Sequence, residues 1–283
     1  MSEYANGAAL VETGFLAEHL DDPAYTVVEV DEDTSAYDNG HIAGAVALNW
    51  QTDLHDAPRR DFVSAEHLAT LLAAKGVSGS QTVVLYGGNN NWFAAYAYWL
   101  CLHRGIDKIR LLNGGRMKWE LEGRPMTTEV PVRSAGDLTA GTARPQLRAY
   151  RDEVIAMAAA QDTTLVDVRS PAEFTGEVTA PPHLPQEQPY VPGHIPGARN
   201  IPWAQAANDD GTFKGADELR ELYAGNGVSS DGSVVAYCRI GERSSHTWFV
   251  LHELLGLRDV RNYDGSWTEY GSLVGVPVAT GAA

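Results

Sequence analysis

The amino-acid sequence predicts an α/β protein of two tandem domains, each a mainly parallel sheet flanked by helices. Three observations point there. Four blocks of the chain recur in the same order; the strand candidates are short, unbroken apolar runs, as in parallel sheets covered on both faces; and those runs alternate with segments of helical spacing.

In chain order, the first copy has the apolar run "YTVVEV" (25–30) and then the turn "HIAGAVALNW" (41–50). "SAEHLATLLAAKG" (64–76) follows as a helix candidate with a serine N-cap and a closing glycine. "TVVLYGGNNNWFAAYAYWL" (82–100) is a second strand running through a turn into a helix, and "IRLLNGGRMKW" (109–119) ends the copy. The second copy matches block by block: "TTLVDVRSPAEF" (163–174), "HIPGARNIPW" (194–203), "SVVAYCRIGERSSHTWFVL" (233–251) and "DVRNYDGSW" (259–267). Its helix candidate is "ADELRELYAGNG" (216–227), and a Pro-rich stretch at 177–191 has no counterpart in the first copy. Such self-similarity marks a duplicated unit. The stretch "TTEVPVRSAGDLTAGTARPQ" lacks a periodic apolar face and reads as a connection. The expected division is an N-terminal domain at 8–128, a linker at 129–145 and a C-terminal domain at 146–283.

With 283 residues, 44% of them hydrophobic and 20% charged, each half can bury a core of its own. No apolar run approaches the ~18 residues of a membrane span, and the N-terminal stretch carries no basic leader, so no membrane association is expected and the expected location is cytoplasmic. A formal charge of −16, from 37 acidic against 21 basic residues, argues against a nucleic-acid partner. Two cysteines, Cys101 and Cys238, are too few for a disulfide framework or a structural zinc site, and no metal is expected.

The two cysteines read differently. Cys101 lies in "AAYAYWLCLHRG", apolar at helical spacing, and belongs to a core. Cys238 directly follows the run "SVVAY" and precedes a helix expected to begin near Ser244, and ligand sites in open parallel sheets lie beyond the carboxyl ends of strands. The N–H groups of such a turn, together with the positive end of the helix, form an anion cradle that favours the thiolate. Arg239 and Arg243 add positive charge, so an acidic protein presents one cationic pocket. In the first copy Gly87 stands where Cys238 does, with no arginine in the loop "GGNNNW", so that copy is expected to have no such nucleophile; Asn89, Asn90, Asn91 and Trp92 read as part of the wall of an interdomain cleft or, at least as well for the asparagines, as helix caps.

The loop "CRIGERS", flanked by "GHIPGARNIPW" and "YDGSW", resembles that of the tandem-domain rhodaneses, the thiosulfate sulfurtransferase family, and the resemblance spans nearly the whole chain. It implies two rhodanese-like domains, the first inert, and a thiosulfate:cyanide sulfurtransferase activity. Cys238 would take the outer sulfur of thiosulfate as a persulfide, release sulfite, and pass the sulfur to cyanide or another thiophilic acceptor, a protein or thiol among them, with no metal or organic cofactor. Arg239, Gly241, Arg243 and Ser244 would form the substrate-binding loop, supported by Asp167, Arg169 and Glu173. Asp167 and Arg169 read equally as an ion pair clamping a loop. His194 and Trp203, echoed by His41 and Trp50 in the inert copy, read as turn-fixing and packing residues, and His246 as a satisfied or exposed histidine. Glu173 departs from the family pattern, in which several members carry an arginine, and is expected to pair with an arginine of the loop. Glu242 beside a thiolate would raise its pKa, a conflict removed if it faces solvent.

Three alternatives stay open. Enzymes for 3-mercaptopyruvate resemble this chain but have "CGSGVT" in the loop. Related folds act as phosphatases with five residues between Cys and Arg, where this loop has four. A non-catalytic persulfide carrier for a protein partner would use the same cysteine.

Overall fold

The computed structural model describes residues 3–180 and 187–282; residues 181–186 of the 177–191 insertion lie outside the described residues. The chain divides into two compact units, which are not simple halves. One comprises Ala8–Pro145 and Ala207–Phe213; the other comprises Gln146–Ala206 and Lys214–Ala283, with Met1–Gly7. A short stretch of the second copy therefore belongs to the body of the first, which no local pattern in the sequence signals. Within that body, Phe213 is buried and donates its backbone N–H to Asn113 Oδ1 at 3.1 Å, and Lys118 pairs with Asp210 at 2.9 Å.

In the first unit, β1 (Leu10–Val11), β2 (Tyr25–Glu29), β3 (Val46–Ala47), β4 (Thr82–Tyr86) and β5 (Ile109–Leu112) form a sheet of order β1-β5-β4-β2-β3 in which every pairing is parallel. Its helices are α1 (Thr13–Glu18), α2 (Ala36–Asn39), α3 (Ala65–Ala74), α4 (Trp92–His103) and α5 (Gly115–Leu121). Helix α3 starts as its sequence predicts: Ser64 Oγ accepts the N–H of His67 at 3.1 Å. Helix α4 is buried along its whole length, Cys101 included, which accounts for its almost unbroken apolar sequence. The connecting residues 128–144 form no helix or strand and lie against this unit, where Arg133 donates to Gly44 O at 2.7 Å and the Gly136 N–H to Ala73 O at 2.8 Å.

The second unit repeats the plan with one strand fewer. Helix α6 (Arg151–Ala160) leads to β6 (Thr164–Asp167), α7 (Pro171–Thr175), β7 (Arg199–Asn200), α8 (Ala216–Gly225), β8 (Val234–Tyr237), α9 (Glu242–Phe249), β9 (Val260–Tyr263) and α10 (Ser266–Tyr270). The sheet order is β7-β6-β8-β9, again wholly parallel. A lone parallel bridge from Arg148 to Asn262 occupies the edge that β1 fills in the first unit.

Both units use the same internal brace. Tyr86, at the end of β4, accepts the N–H of Ile42 at 3.0 Å, and Tyr237, at the end of β8, accepts that of Ile195 at 3.2 Å. His41 stacks on Tyr37 and donates Nδ1–H to its carbonyl; His194 stacks on Phe174 and does the same, with 2.9 and 2.7 Å for the two bonds. The same engagement recurs in the unit that carries Gly87 where the other carries Cys238, as a turn anchor would. Among the described residues no helix is long and apolar enough to cross a membrane.

Candidate functional site

The site grows from the carboxyl end of β8. Cys238 follows Tyr237, and the chain folds back through Arg239, Ile240 and Gly241 before α9 begins at Glu242, two residues earlier than the sequence predicts. Gly241 makes the turn with φ of +105°, and a side chain there would come within 2.8 Å of the Asp264 backbone. Only glycine meets both demands. Three side chains, Ser244, Ser245 and Asn262, donate to the Gly241 carbonyl at 3.0, 2.8 and 3.2 Å. They turn the Gly241 carbonyl away from the sulfur, while the Gly241 N–H, in the preceding peptide, points at it.

Cys238 Sγ accepts the Gly241 N–H at 3.1 Å, with Ser244 Oγ at 3.7 Å and Ser266 Oγ at 3.9 Å. The cysteine is 1% exposed. Burial alone pushes its thiol up; the Arg243 charge and the hydrogen bonds from Ser244 and Gly241 more than offset this and hold it below the ordinary thiol range. Cys101 shows the contrast: burial without compensation pushes it up to about 12.

Arg243 is itself fixed. Glu173 Oε1 and Oε2 accept from its two terminal nitrogens at 2.9 Å each, a bidentate and almost wholly buried pair. Glu173 also closes a capping box at the start of α7, accepting the Ser170 N–H at 3.1 Å while Ser170 Oγ accepts the Glu173 N–H at 3.3 Å. Burial raises its carboxyl, and the bonds to Arg243 outweigh that, leaving it below the usual carboxylate range. Arg239 is buried at 1% exposure; burial, and then Arg243, lower its pKa. Asp167 and Arg169 form a second buried bidentate pair, with bonds of 3.0 and 2.6 Å; Arg169 further donates to Gly193 O at 2.7 Å and lies over the Trp267 ring at 5.0 Å. These contacts brace the turn before His194 and do not reach the sulfur.

Two points that the sequence leaves open are decided by the fold. Glu242 does not face solvent: it is 3% exposed. Its carboxyl is raised well above the usual range by burial first and the Cys238 charge second, so it is the carboxyl, and not the thiol, that the pair pushes up. The asparagines of the first unit do not cap α4 through their side chains: Asn91 instead accepts the Gly87 N–H at 2.9 Å and donates to Leu112 O at 2.6 Å. His246 is buried against Trp203, and burial lowers its pKa to about 3, so it stays neutral.

Ser266 is a contributor that sequence reasoning missed. Its Oγ accepts the Cys238 N–H at 3.0 Å from a left-handed backbone at φ of +54°. It stands inside the "YDGSW" motif, which was the available signal. Among the described residues no cluster of His, Cys, Asp and Glu could hold a metal ion.

The site is thus a buried cysteine whose thiol pKa is lowered, met by N–H and hydroxyl donors beside a fixed cation. The profile of the rhodanese-like domain matches residues 13–122 and 150–273. The chain is 57% identical over 278 residues to the "Putative thiosulfate sulfurtransferase" of Mycolicibacterium smegmatis, covering 98% of this chain and 100% of that one. It is 54% identical over 281 residues to the "Sulfur carrier protein TtuD" of Thermus thermophilus, covering 98% and 99%. Among solved structures, the anaerobic ergothioneine biosynthesis enzyme from Chlorobium limicola superposes with a TM-score of 0.87 at 24% identity, over 100% of this chain and 72% of that one, a likeness of fold. The chain belongs to the rhodanese family and carries the rhodanese-like domain twice.

Proposed function

We propose that the protein is a thiosulfate sulfurtransferase of the cytoplasm, working through a persulfide on Cys238. The observation that carries this reading is the Cys238 sulfur itself, buried yet with its thiol pKa lowered by the Arg243 charge and by hydrogen bonds that include the Gly241 N–H. The thiolate attacks the outer sulfur of thiosulfate; the S–S bond of the donor breaks, sulfite departs with the electron pair, and Cys238–S–S⁻ remains. The cradle that lowers the thiol's pKa serves the persulfide anion equally, since both present negative sulfur to the same donors. Because Glu173 occupies both terminal nitrogens of Arg243, Arg243 acts chiefly as fixed charge, and Arg239 takes the larger part in meeting the sulfonate oxygens.

The test is direct. The protein is incubated with thiosulfate, freed of donor and examined by peptide mass spectrometry, with Cys238→Ser alongside. A gain of about 32 Da on the Cys238 peptide, absent from the variant, is the expected result; an unmodified Cys238 in folded protein overturns the reading. Mercaptopyruvate is the next donor to assay in that event. The relative named as a sulfur carrier favours a second reading of the same chemistry, in which the persulfide is handed to a protein or small thiol rather than to cyanide. Discharge of the loaded protein by cyanide and by a thiol, compared at equal concentration, separates the two.

A further inference from the structure

Glu242 is the one charged side chain of the loop that the sulfur-loading step leaves without a task. It is 3% exposed, lies one residue from the Gly241 N–H that touches the sulfur, and among the described residues makes no ion pair and no side-chain hydrogen bond to another residue. The charged groups facing it are Cys238 and Arg239 of the loop and Arg243 of its own helix. Nearby carboxylates are already engaged: Glu173 by Arg243, and Asp264 by Arg148 at 2.7 and 3.0 Å. The repeat adds an independent pointer. The residue matched to Glu242 in the first copy is Asn91, the side chain that reaches back to the nucleophile position and bonds the Gly87 N–H.

We propose that Glu242 is the proton donor of the second half-reaction, the step that unloads Cys238. The inference rests on the persulfide reading above. A persulfide anion is a poor target for a thiolate or cyanide, because both partners are negative and the outer sulfur already holds the charge. Transfer of the Glu242 carboxyl proton to that sulfur gives Cys238–S–SH and a Glu242 carboxylate. The acceptor R–S⁻ then attacks the outer sulfur, the S–S bond to Cys238 breaks, and Cys238 departs as the thiolate its cradle is built to hold, leaving R–S–SH. That product, or solvent, returns a proton to Glu242, and no oxidant or reductant is consumed. Loading by thiosulfate transfers no proton, so the two half-reactions depend on Glu242 unequally. General acids of this kind contribute roughly 10²–10⁴-fold.

The test measures the half-reactions apart, in the wild type, Glu242→Gln and Glu242→Asp. The protein is loaded either with thiosulfate or with inorganic polysulfide, freed of donor, and discharged with cyanide or a small thiol across a pH series. The expected result is a ratio of discharge rate to loading rate that falls about a hundredfold in Glu242→Gln and partly recovers in Glu242→Asp. In the wild type, discharge slows as pH rises through the raised Glu242 value, and Glu242→Gln lacks that limb. A Glu242→Gln protein that discharges at the wild-type rate with the limb intact overturns the proposal, and so does an equal fall in both half-reactions, which marks a structural role. If thiosulfate fails to load the wild type while polysulfide succeeds, the donor assignment falls and the discharge comparison still decides on Glu242.

Discussion

The loops that follow β4 and β8 are the same element of one repeated unit, and they differ in what satisfies a single backbone N–H. At position 87 that donor is met by the Asn91 side chain; at position 238 it is met by Ser266. The alternatives exclude each other within a unit. Gly115 corresponds to Ser266, and a side chain added there would lie 2.1 Å from Asn91 Oδ1 and 2.5 Å from Gly87 O. The outer frame is nevertheless shared, since the Arg116 N–H bonds Gly87 O at 2.9 Å as the Trp267 N–H bonds Cys238 O at 3.0 Å. Three successive asparagines in left-handed conformation, φ of 45°, 55° and 63°, carry the first loop closed. The second loop uses a left-handed glycine and keeps an N–H pointing at a sulfur. The two copies therefore differ by more than one cysteine: the first loop is filled by its own asparagine side chain.

The sharpest way to break this comparison is to exchange the nucleophile. Cys238→Ser should abolish sulfur loading, by at least about a thousandfold. Gly87→Cys should gain none, because its Cβ would stand 2.2 Å from Val30 O; a persulfide on the introduced thiol in mass spectra would refute the account of a filled loop. Next in size is Glu173→Ala, which leaves the buried Arg243 without its partner and α7 without its capping box. A loss of about 3–5 kcal/mol is expected in denaturant unfolding, with slower turnover. The pH dependence has a definite sign: a carboxyl held below its usual range contributes stability above about pH 4.3 that fades as pH falls through the folded value. The variant should accordingly lose less stability on acidification than the wild type, and parallel curves would show that the pair contributes nothing.

Ser266→Gly is a smaller change that brings the second loop closer to the first. It keeps a residue at ease with a φ of +54° but removes the acceptor of the Cys238 N–H, for an expected cost of about 1–3 kcal/mol in urea unfolding. No change would mean that the loop can settle that donor without help. The mildest probe compares the cysteines by alkylation across pH in the native protein. Cys238 should react along a titration centred below the ordinary thiol value of about 8.5, and Cys101 should stay inert until far higher pH. Matching profiles would remove the case for an activated thiol.

The plan of the fold was legible because it is written in local patterns. Apolar runs ending at Tyr86 and Tyr237, the Ser64 cap and the matched His41 and His194 turns each depend on residues a few positions apart. Cys238 was legible for the same reason: a strand end, a glycine and two arginines lie within six residues. The expectation that Glu173 meets a loop arginine came from an oddity of charge; which arginine it meets, Arg243, took the structure.

By itself, then, the sequence determined the duplication, the parallel α/β architecture, the place of Cys238 at a strand end and its replacement by Gly87 in the first copy, because periodicity and turn chemistry act over short stretches of chain. Only the tertiary structure decided that Arg243 is locked by Glu173 across 70 residues, that Ser266 and Asn91 answer the same N–H in the two units, that Glu242 is buried, and that 207–213 belongs to the first body. Those outcomes depend on which distant groups arrive within about 3 Å of each other and on how much water packing excludes, and neither is encoded at any one position.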